Sequence, residues 1–355
     1  MLKMLTARKS KTLVSGGCFL IILYYFGVFT HLFESEFKSY FQYPYDGDIE
    51  EFVQALRSNA SPKVPPINTY NFHFAKSSPN KCKGVENLRL VYLVKSAPGN
   101  FDRRIAIRGS WGYEHRFSDV EIRMVFLLGE SEDAIWQRKI QTESERFKDI
   151  VQANFTDSYY NNTFKTMMGF TWVVRFCPTA RFYMFVDDDY YVSTKNLLRF
   201  IRNPTAYPNY LEPAKQRRLH QFDFDLDVNV RLYAGYVFKS APHRHRISKW
   251  YVSLSEYPYD MWPPYVTAGA YVVSREALLD MYYASFYTKH FKFDDIYVGL
   301  LAFKCKIEPY HCDQFYFNKV NYNLEDYKFM VASHGYGDPR ELVNVWTQQR
   351  AKNNA

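Results

Sequence analysis

Hydrophobic and polar positions divide the chain into three stretches. Residues 13–33 contain no Lys, Arg, Asp or Glu, and the run is about the length a helix needs to cross a bilayer. Lys3, Arg8, Lys9 and Lys11 precede it, and Glu34 and Glu36 follow. That asymmetry places the short N-terminus in the cytosol and the bulk of the chain across the membrane, in a lumen. A cleaved signal peptide is the rival reading, but the run is long for one and no small-x-small cleavage site follows. Residues 34–84 lack sustained periodicity and carry Pro62, Pro65, Pro66 and Pro79, as a spacer stem would.

From residue 88 onward, short apolar runs alternate with helical patterns. Residues 88–94 (LRLVYLV), 123–128 (RMVFLL) and 181–186 (RFYMFV) read as buried strands. Between them, residues 132–150 place Trp136, Ile140, Phe147 and Ile150 at helical spacing. Residues 164–176 are apolar almost all round, as a helix buried between layers is, and Ser193 caps a short helix running to Ile201. Such alternation predicts an α/β fold with a mainly parallel, Rossmann-like sheet flanked by helices. The expected partition is a cytosolic tail (1–12), a transmembrane signal-anchor (13–33), a stem (34–84) and a lumenal catalytic domain (85–355).

Composition refines this picture modestly. The 355 residues are 47% hydrophobic and 23% charged, within the globular range. The 31 Tyr and 30 Phe suit sugar-binding platforms, though aromatic residues more often fill cores. A net charge of +8 is partly the N-terminal cluster. The remainder suits an anionic ligand such as a nucleotide diphosphate, and no dense basic stripe with a nucleic-acid motif is present, so no nucleic-acid partner is expected. Cys18 lies in the apolar run, leaving Cys82, Cys177, Cys305 and Cys312 for an oxidising compartment. The short interval from Cys305 to Cys312 suggests a local bridge and leaves Cys82 with Cys177, but spacing does not decide among the three pairings. With no C-x-x-C pair, zinc is disfavoured. Asn59, Asn154 and Asn161 stand in glycosylation sequons, which also arise by chance.

In an α/β sheet, ligands gather beyond the carboxyl ends of the strands. After Val186 come Asp187, Asp188 and Asp189. Adjacent carboxylates repel one another, and a divalent cation such as Mg²⁺ or Mn²⁺ relieves that repulsion, completing its shell with phosphates and water. An acidic turn capping the next helix is the plainer alternative. A second acidic pair, Asp294 and Asp295, opens an apparent helix, DDIYVGLLAF. Asp294 fits an N-cap. Asp295, in the first turn, fits a carboxylate that accepts a proton from a hydroxyl, provided burial offsets the helix dipole's preference for its charged form. His334, within ASHGYG, becomes a metal-ligand candidate if the fold returns it to the triple aspartate, and is otherwise an ordinary structural histidine.

Two further segments carry open alternatives. In RRIAIRGSWG, Arg104 and Arg108 are four apart and share a helix face. They grip a diphosphate, orient an acidic partner, or form a solvated basic face. Residues 262–274 (WPPYVTAGAYVVS) form either a wall for a sugar ring, with Gly269 allowing close approach, or a packed aromatic turn.

Together these motifs resemble the β-1,3-glycosyltransferase family, whose galactosyl- and N-acetylglucosaminyltransferases are related more distantly to Fringe. The likeness spans residues 88–346. RRIAIRGSWG resembles R-x-x-I-R-x-T-W-G, and VFLLG the strand after it. ERFKDIVQANFTDSYYNNTFKT resembles the stretch ending N-L-T-x-K-T, FCPTARFYMFVDDD the metal-binding strand, KWYVSLSEYPYDMWPPYVTAGAYVVS the acceptor-side segment and FDDIYVG the E-D-V-Y-x-G motif. Each is weak alone, and the ordered set is specific. The resemblance implies a GT-A fold, type II topology in the Golgi membrane, a UDP-sugar donor, Mn²⁺ (or Mg²⁺) and a glycan acceptor on a glycoprotein or glycolipid. It implies Asp189 and His334 at the metal, Asp295 as general base, and Asp187 and Asp188 facing the donor. Arg104, Arg108, Asp157 and Lys165 match donor-side positions, and Trp262, Tyr265, Gly269 and Asp294 acceptor-side ones.

The chain departs from the family's pattern at several positions. Ser110 replaces Thr, Asn154 replaces Asp and creates a sequon, Phe164 replaces Leu, Trp262 replaces Tyr and Asp294 replaces Glu. Val266 stands where several galactosyltransferases carry Cys, which leaves open whether the family's disulfide pattern holds in this chain. The expected reaction is inverting transfer of a hexose, galactose first, to a 3-hydroxyl in β linkage. The alternatives are N-acetylglucosaminyl or N-acetylgalactosaminyl transfer, or a catalytically silent lumenal binding protein on the same fold.

Overall fold

The structure is a computed structural model that describes residues 2–43, 48–211 and 225–355, with side chains from residue 13 onward. The basic side chains of Lys3, Arg8, Lys9 and Lys11, the basis of the topology expectation, lie outside the described residues. The chain divides into two compact units, Met1–Asp46 with Lys239–Pro264, and Gly47–Phe238 with Tyr265–Ala355.

The smaller unit contains helix α1 (Leu2–Tyr25) and the single-turn α2 (Phe37–Tyr40). Arg244 holds it together. Its fully buried guanidinium donates to Glu34 Oε1 at 2.7 Å and to the carbonyls of Val252, Tyr257 and Tyr259, each at 2.9 Å. The apolar run does not form one continuous span. It is helical only to Tyr25, and turns and a 3₁₀ segment (Thr30–Phe33) follow. Thirteen helical residues reach about 20 Å, short of the bilayer's apolar thickness of ~30 Å. Among the described residues, no helix is long and apolar enough to cross a membrane.

The larger unit is built on an eight-stranded sheet. Its strands are β1 (Phe74–Lys76), β2 (Leu88–Lys95), β3 (Glu121–Glu130), β4 (Ile150–Thr156), β5 (Phe182–Asp187), β7 (Tyr233–Phe238), β8 (Tyr265–Ser274) and β9 (Tyr310–His311). Their order is β1-β4-β3-β2-β5-β8-β7-β9. The four central strands, β4, β3, β2 and β5, run parallel. β1 on one side and β8 on the other join antiparallel. The sheet is therefore mixed, with four of its seven strand pairings parallel. The long apolar runs gave no cue to strand direction, because a strand buried on both faces reads alike in either orientation. A small second sheet, β10-β11-β6, pairs β6 (Tyr190–Val192) antiparallel with β11 (Ala332–His334), and β10 (Phe315–Tyr316) parallel with β11.

Helices cover both faces of the large sheet. Leu90, Tyr92, Val94, Phe126 and Leu128 face a core that includes Ala106 and Ile107 of α4 (Phe101–Arg108) and Trp346 of α10 (Pro339–Ala351). The opposite face packs α6 (Asn162–Phe176), where Gly169 lies so close that a side chain there would strike Leu127 and Phe185. Asp133 caps α5 (Ala134–Phe147), and Ser193 caps α7 (Thr194–Arg202) by accepting from Asn196 N. The first helix is shorter than its periodicity suggested, because Ile150 already opens β4.

The expected stem is largely folded. α3 (Glu50–Arg57) buries Phe52 and Val53, and Arg57 pairs with Glu276 and Asp280 of α8 (Arg275–Ala284). β1 adds to the sheet edge. One eight-residue helix and a three-residue strand are too short to show a sustained period. Cys82 and Cys177 form a disulfide, whereas Cys305 and Cys312 are both free, so the expected local bridge is absent. Cys305 ends α9 (Asp294–Lys304), while the backbone of Cys312 is tied to Gly235 of β7.

Candidate active site

β2 lies between β3 and β5. The chain leaves β2 toward β3 and β4 on one side and returns to β5 on the other, so the β2–β5 junction is where the strand order reverses. Such a point leaves a crevice beyond the carboxyl ends of the strands. The last register pair at this junction is Lys95 with Asp187, and the acidic triplet starts there.

Lys95 was not singled out by the sequence reading, although it is a charged residue ending an apolar strand. Its buried ammonium sits 3.0 Å from Asp187 Oδ1, donates to Asp294 Oδ2 at 2.9 Å and donates to the carbonyl of Ala268 at 2.9 Å. Burial alone would lower its pKa, but Asp187 and Asp294 outweigh that and hold it well above the ordinary lysine value. One cation thus gathers the strand-end triplet and the helix-start pair. Asp187 keeps 40% side-chain exposure while Asp294 keeps 10%.

The triplet divides into separate tasks. Asp188 is buried and saturated by protein: Ser96 Oγ and Asn100 Nδ2 donate to Oδ2 at 2.6 and 2.9 Å, and Arg103 Nη1 donates to Oδ1 at 2.9 Å. It ties the β2–α4 turn to the end of β5. Asp189 is approached by His334, whose Nε2 lies 3.3 Å from Oδ2. The small second sheet makes this meeting, since His334 pairs in register with Tyr190. Gly335 then turns at φ 95, and Tyr336 N donates to the Asp189 carbonyl at 2.7 Å. A left-handed turn there favours glycine.

Burial works to raise the Asp189 pKa, but the hydrogen bond and charge of His334, with Arg103 behind them, hold it below the ordinary value. The Asp189 contact raises His334 in turn, against its partial burial. Asp189 Oδ1 is buried without a hydrogen-bond partner, a costly state that a cation would relieve. Among the described residues, no three His, Cys, Asp or Glu side chains gather as a ready-made cation cage. Asp189 and His334 offer two donors, which fits an Mn²⁺ or Mg²⁺ that shares its shell with nucleotide phosphates and water.

Asp294 does not cap α9. The N-cap position is Phe293, with no side-chain cap bond, and Asp294 is the first helical residue. Its Oδ2 accepts from Lys95 and from Thr166 Oγ1, the latter at 3.0 Å. It is therefore a buried anchor and not an acceptor-facing group, because its side chain is the counter-charge for Lys95. Asp295 is only partly buried, and Oδ1 accepts from Ile296 N at 2.8 Å. Burial and the neighbouring Asp294 push its carboxyl up to about 7, against the pull of the Ile296 N–H and Lys95. The offset to the helix dipole is thus present.

Several sequence-nominated residues serve elsewhere. Arg104 is buried and uses all its donors, on Glu143 (2.8 and 2.7 Å), Ser96 and the carbonyls of Ala97 and Pro98. Arg108 binds Glu143 and both oxygens of Asp149. Neither guanidinium presents an open diphosphate-binding face, because buried carboxylates claim both. Arg103, one position away and on a different helix face, is the one that reaches the triplet. It is 31% exposed and its Nε also donates to the Gly337 carbonyl. Lys165 joins Asp157 Oδ1 at 2.9 Å to the Ser96 carbonyl at 2.7 Å, and Gly129 N donates to Asp157 Oδ2, so both lie at the carboxyl ends of β2–β4. Gly269 admits the Tyr190 ring, which any side chain at 269 would strike. Tyr265 stacks on Phe238. In the smaller unit, Trp262 is 5% exposed with its ring centroid 4.1 Å from that of Tyr257, so it belongs to a packed aromatic turn.

Residues 102–313 match the family model described as Galactosyltransferase. The chain is 42% identical over 337 residues to beta-1,3-galactosyltransferase brn of Drosophila melanogaster, covering 95% of this chain and 94% of that protein. It is 33% identical to beta-1,3-galactosyltransferase 1 of Mus musculus, over 82% of each. A solved galactosyltransferase, LgtC with donor and acceptor sugar analogs, aligns over 75% of this chain and 100% of that one at 11% identity and a TM-score of 0.36. The chain belongs to the galactosyltransferase family, among its β-1,3-glycosyltransferases, and is a hexosyltransferase.

Proposed function

We propose that this enzyme moves galactose from UDP-galactose to the 3-hydroxyl of a glycan acceptor, with inversion to a β linkage. The observation that carries the reading is Lys95, whose single ammonium touches both Asp187 and Asp294. It draws the Asp189–His334 pair and the Asp295 carboxylate into one crowded region at the strand ends. Asp295, with its pKa raised to about 7, takes the proton from the acceptor hydroxyl as that oxygen attacks the anomeric carbon. Arg103, held by Asp188, faces the departing diphosphate, and Asp187 borders the donor. When bound at Asp189 and His334, Mn²⁺ or Mg²⁺ would neutralise charge on the diphosphate. A GT-A-type architecture fits the reversal of strand order at β2–β5.

The same reading places the enzyme in the Golgi membrane with a type II anchor, acting on a glycoprotein or glycolipid. In support, Leu13, Val14, Phe19, Leu20, Ile21 and Ile22 are each more than half exposed, as side chains meant for lipid are. The test is incubation of the full chain in detergent with Mn²⁺, a panel of UDP-sugars and a panel of sugar acceptors, with product linkage determined by NMR. Galactose in a β-1,3 linkage is expected. Consumption of UDP-N-acetylglucosamine or UDP-N-acetylgalactosamine instead would replace the donor, and UDP binding with no transfer to any acceptor would overturn the reading.

A further inference from the structure

A cavity lies at the opposite ends of the strands. It has a volume of ≈ 530 Å³ and its lining includes Lys76, Lys81, Arg123 and Lys148. Arg123 stands near the start of β3, Lys148 just precedes β4, and Lys76 ends β1. These are the amino ends of the parallel strands, whereas the active site lies beyond their carboxyl ends. Nothing in the proposed transfer reaction uses this cavity.

The charges are unbalanced. Lys81 pairs with Glu114 at 2.8 Å, and Arg123 pairs with Glu121 at 2.8 Å. Lys76 and Lys148 have no carboxylate partner among the described residues. Two lysines with no carboxylate partner among the described residues thus help line a concave space, Lys76 Nζ donating only to the Ala75 carbonyl at 3.4 Å. Between them lie neutral hydrogen-bonding groups from Ser77, Ser78, Asn80 and Ser144. That combination suits a compact polyhydroxylated anion better than a metal or an apolar ligand.

The wall is also built to stay in place. Ser78 and Lys148 both hold left-handed backbones, at φ 42 and φ 52, where glycine or asparagine is usual. Lys148 closes α5 in the left-handed conformation that often ends a helix, with its N–H donating to the Ser144 carbonyl. The 76–81 wall is pinned on three sides. Trp172 Nε1 donates to the Ser77 carbonyl at 2.6 Å, Ser78 Oγ donates to the Ile150 carbonyl at 2.9 Å, and Cys82 is bonded to Cys177. Binding there would need little reordering.

We propose that this cavity is a second saccharide site for a sugar carrying a sulfate, phosphate or carboxylate, held by Lys76 and Lys148 and separate from the transfer site. A saccharide is favoured over a lipid headgroup because Ser77, Asn80 and Ser144 add polar groups to the lining, and Phe147 is its one large apolar side chain. The ring of Phe147 is already covered by Arg108, 4.0 Å from its centroid.

The test titrates the full chain in detergent with N-acetylglucosamine 6-sulfate, glucose 6-phosphate, unmodified N-acetylglucosamine, inorganic sulfate and phosphatidylserine vesicles. The variants are Lys148→Gly, which removes the cation while relaxing its backbone, and Lys76→Gln. Each should weaken the charged sugars by roughly tenfold, the size of one charge-assisted contact. Both should leave transfer to an uncharged acceptor unchanged, a readout that guards against misfolding. Stronger binding of a charged sugar than of inorganic sulfate is also expected. Equal binding of charged and unmodified sugar, unchanged affinity in both variants, or lysine-dependent binding of vesicles without sugar binding would each overturn the proposal.

Discussion

At the residue scale, Asp295 has the most to reveal. Its carboxyl, raised to about 7 by burial and by Asp294, must be ionised to act as a base. Turnover is therefore expected to climb through pH 7 and level off above it, and Asp295→Asn should abolish turnover while sparing UDP binding, as measured by calorimetry. The same shift has a stability consequence of opposite sense. A carboxyl raised in the folded state costs nothing below the ordinary carboxylate pKa, where it is protonated in both states. The cost grows from there and is full above about 7. Asp295→Asn should accordingly raise Tm at pH 8 and leave it unchanged below pH 4, a trade of stability for activity. His334 acts on the acidic side. Asp189 raises its pKa, so under the proposed metal-assisted reaction protons would compete with the cation as pH falls, and the Mn²⁺ concentration needed for half-maximal rate should rise below neutrality.

At the scale of elements, the helix and strand cores were legible because their periodicity or continuous apolarity is strong, as in β2, β5 and α6. Strand direction was not, since buried strands look alike either way. The folded part of the expected stem was hidden by the brevity of α3 and β1. Among the site residues, the triplet and the Asp295 pair stood out as clustered charge and His334 as a conditional partner of the triplet, but Lys95 and Arg103 did not. Arg104 and Arg108 drew attention through i,i+4 spacing, whereas Arg103, with no such mate, is the arginine that touches Asp188. Glu143, which anchors Arg104 and Arg108, lies on a helix far away in sequence. The Cys82–Cys177 bridge, 95 residues apart, fastens the β1 region to the end of α6. Replacing both cysteines with serine should cost about 2–5 kcal/mol, read by urea denaturation of the non-reduced protein.

At the scale of the whole molecule, two ends of one sheet carry different chemistry. The carboxyl ends of β2 and β5 gather acidic groups around Lys95, and near the amino ends of β3 and β4 stand four cations, two of which, Lys76 and Lys148, have no carboxylate partner among the described residues. The site's position follows from chain order, because the reversal at β2–β5 creates its crevice before any side chain is considered. The N-terminal apolar stretch was legible as a candidate anchor, yet its helix stops at Tyr25. If the anchor reading holds, protease added outside sealed Golgi vesicles should leave residues 34–355 intact, and only detergent should expose them.

Lys95 also constrains how this enzyme can diverge. Losing the lysine alone strands two carboxylates, so Lys95→Met should cost about 3–5 kcal/mol, as broken buried pairs do, measured by denaturant melts. Losing either aspartate alone leaves the ammonium undercompensated. The triple change Lys95→Met, Asp187→Asn and Asp294→Asn should therefore melt higher than Lys95→Met by itself, despite altering more positions. Mutational drift would have to move these three positions as a block, and single-step intermediates would be selected against. In descendants of this chain the trio should be inherited whole or lost whole.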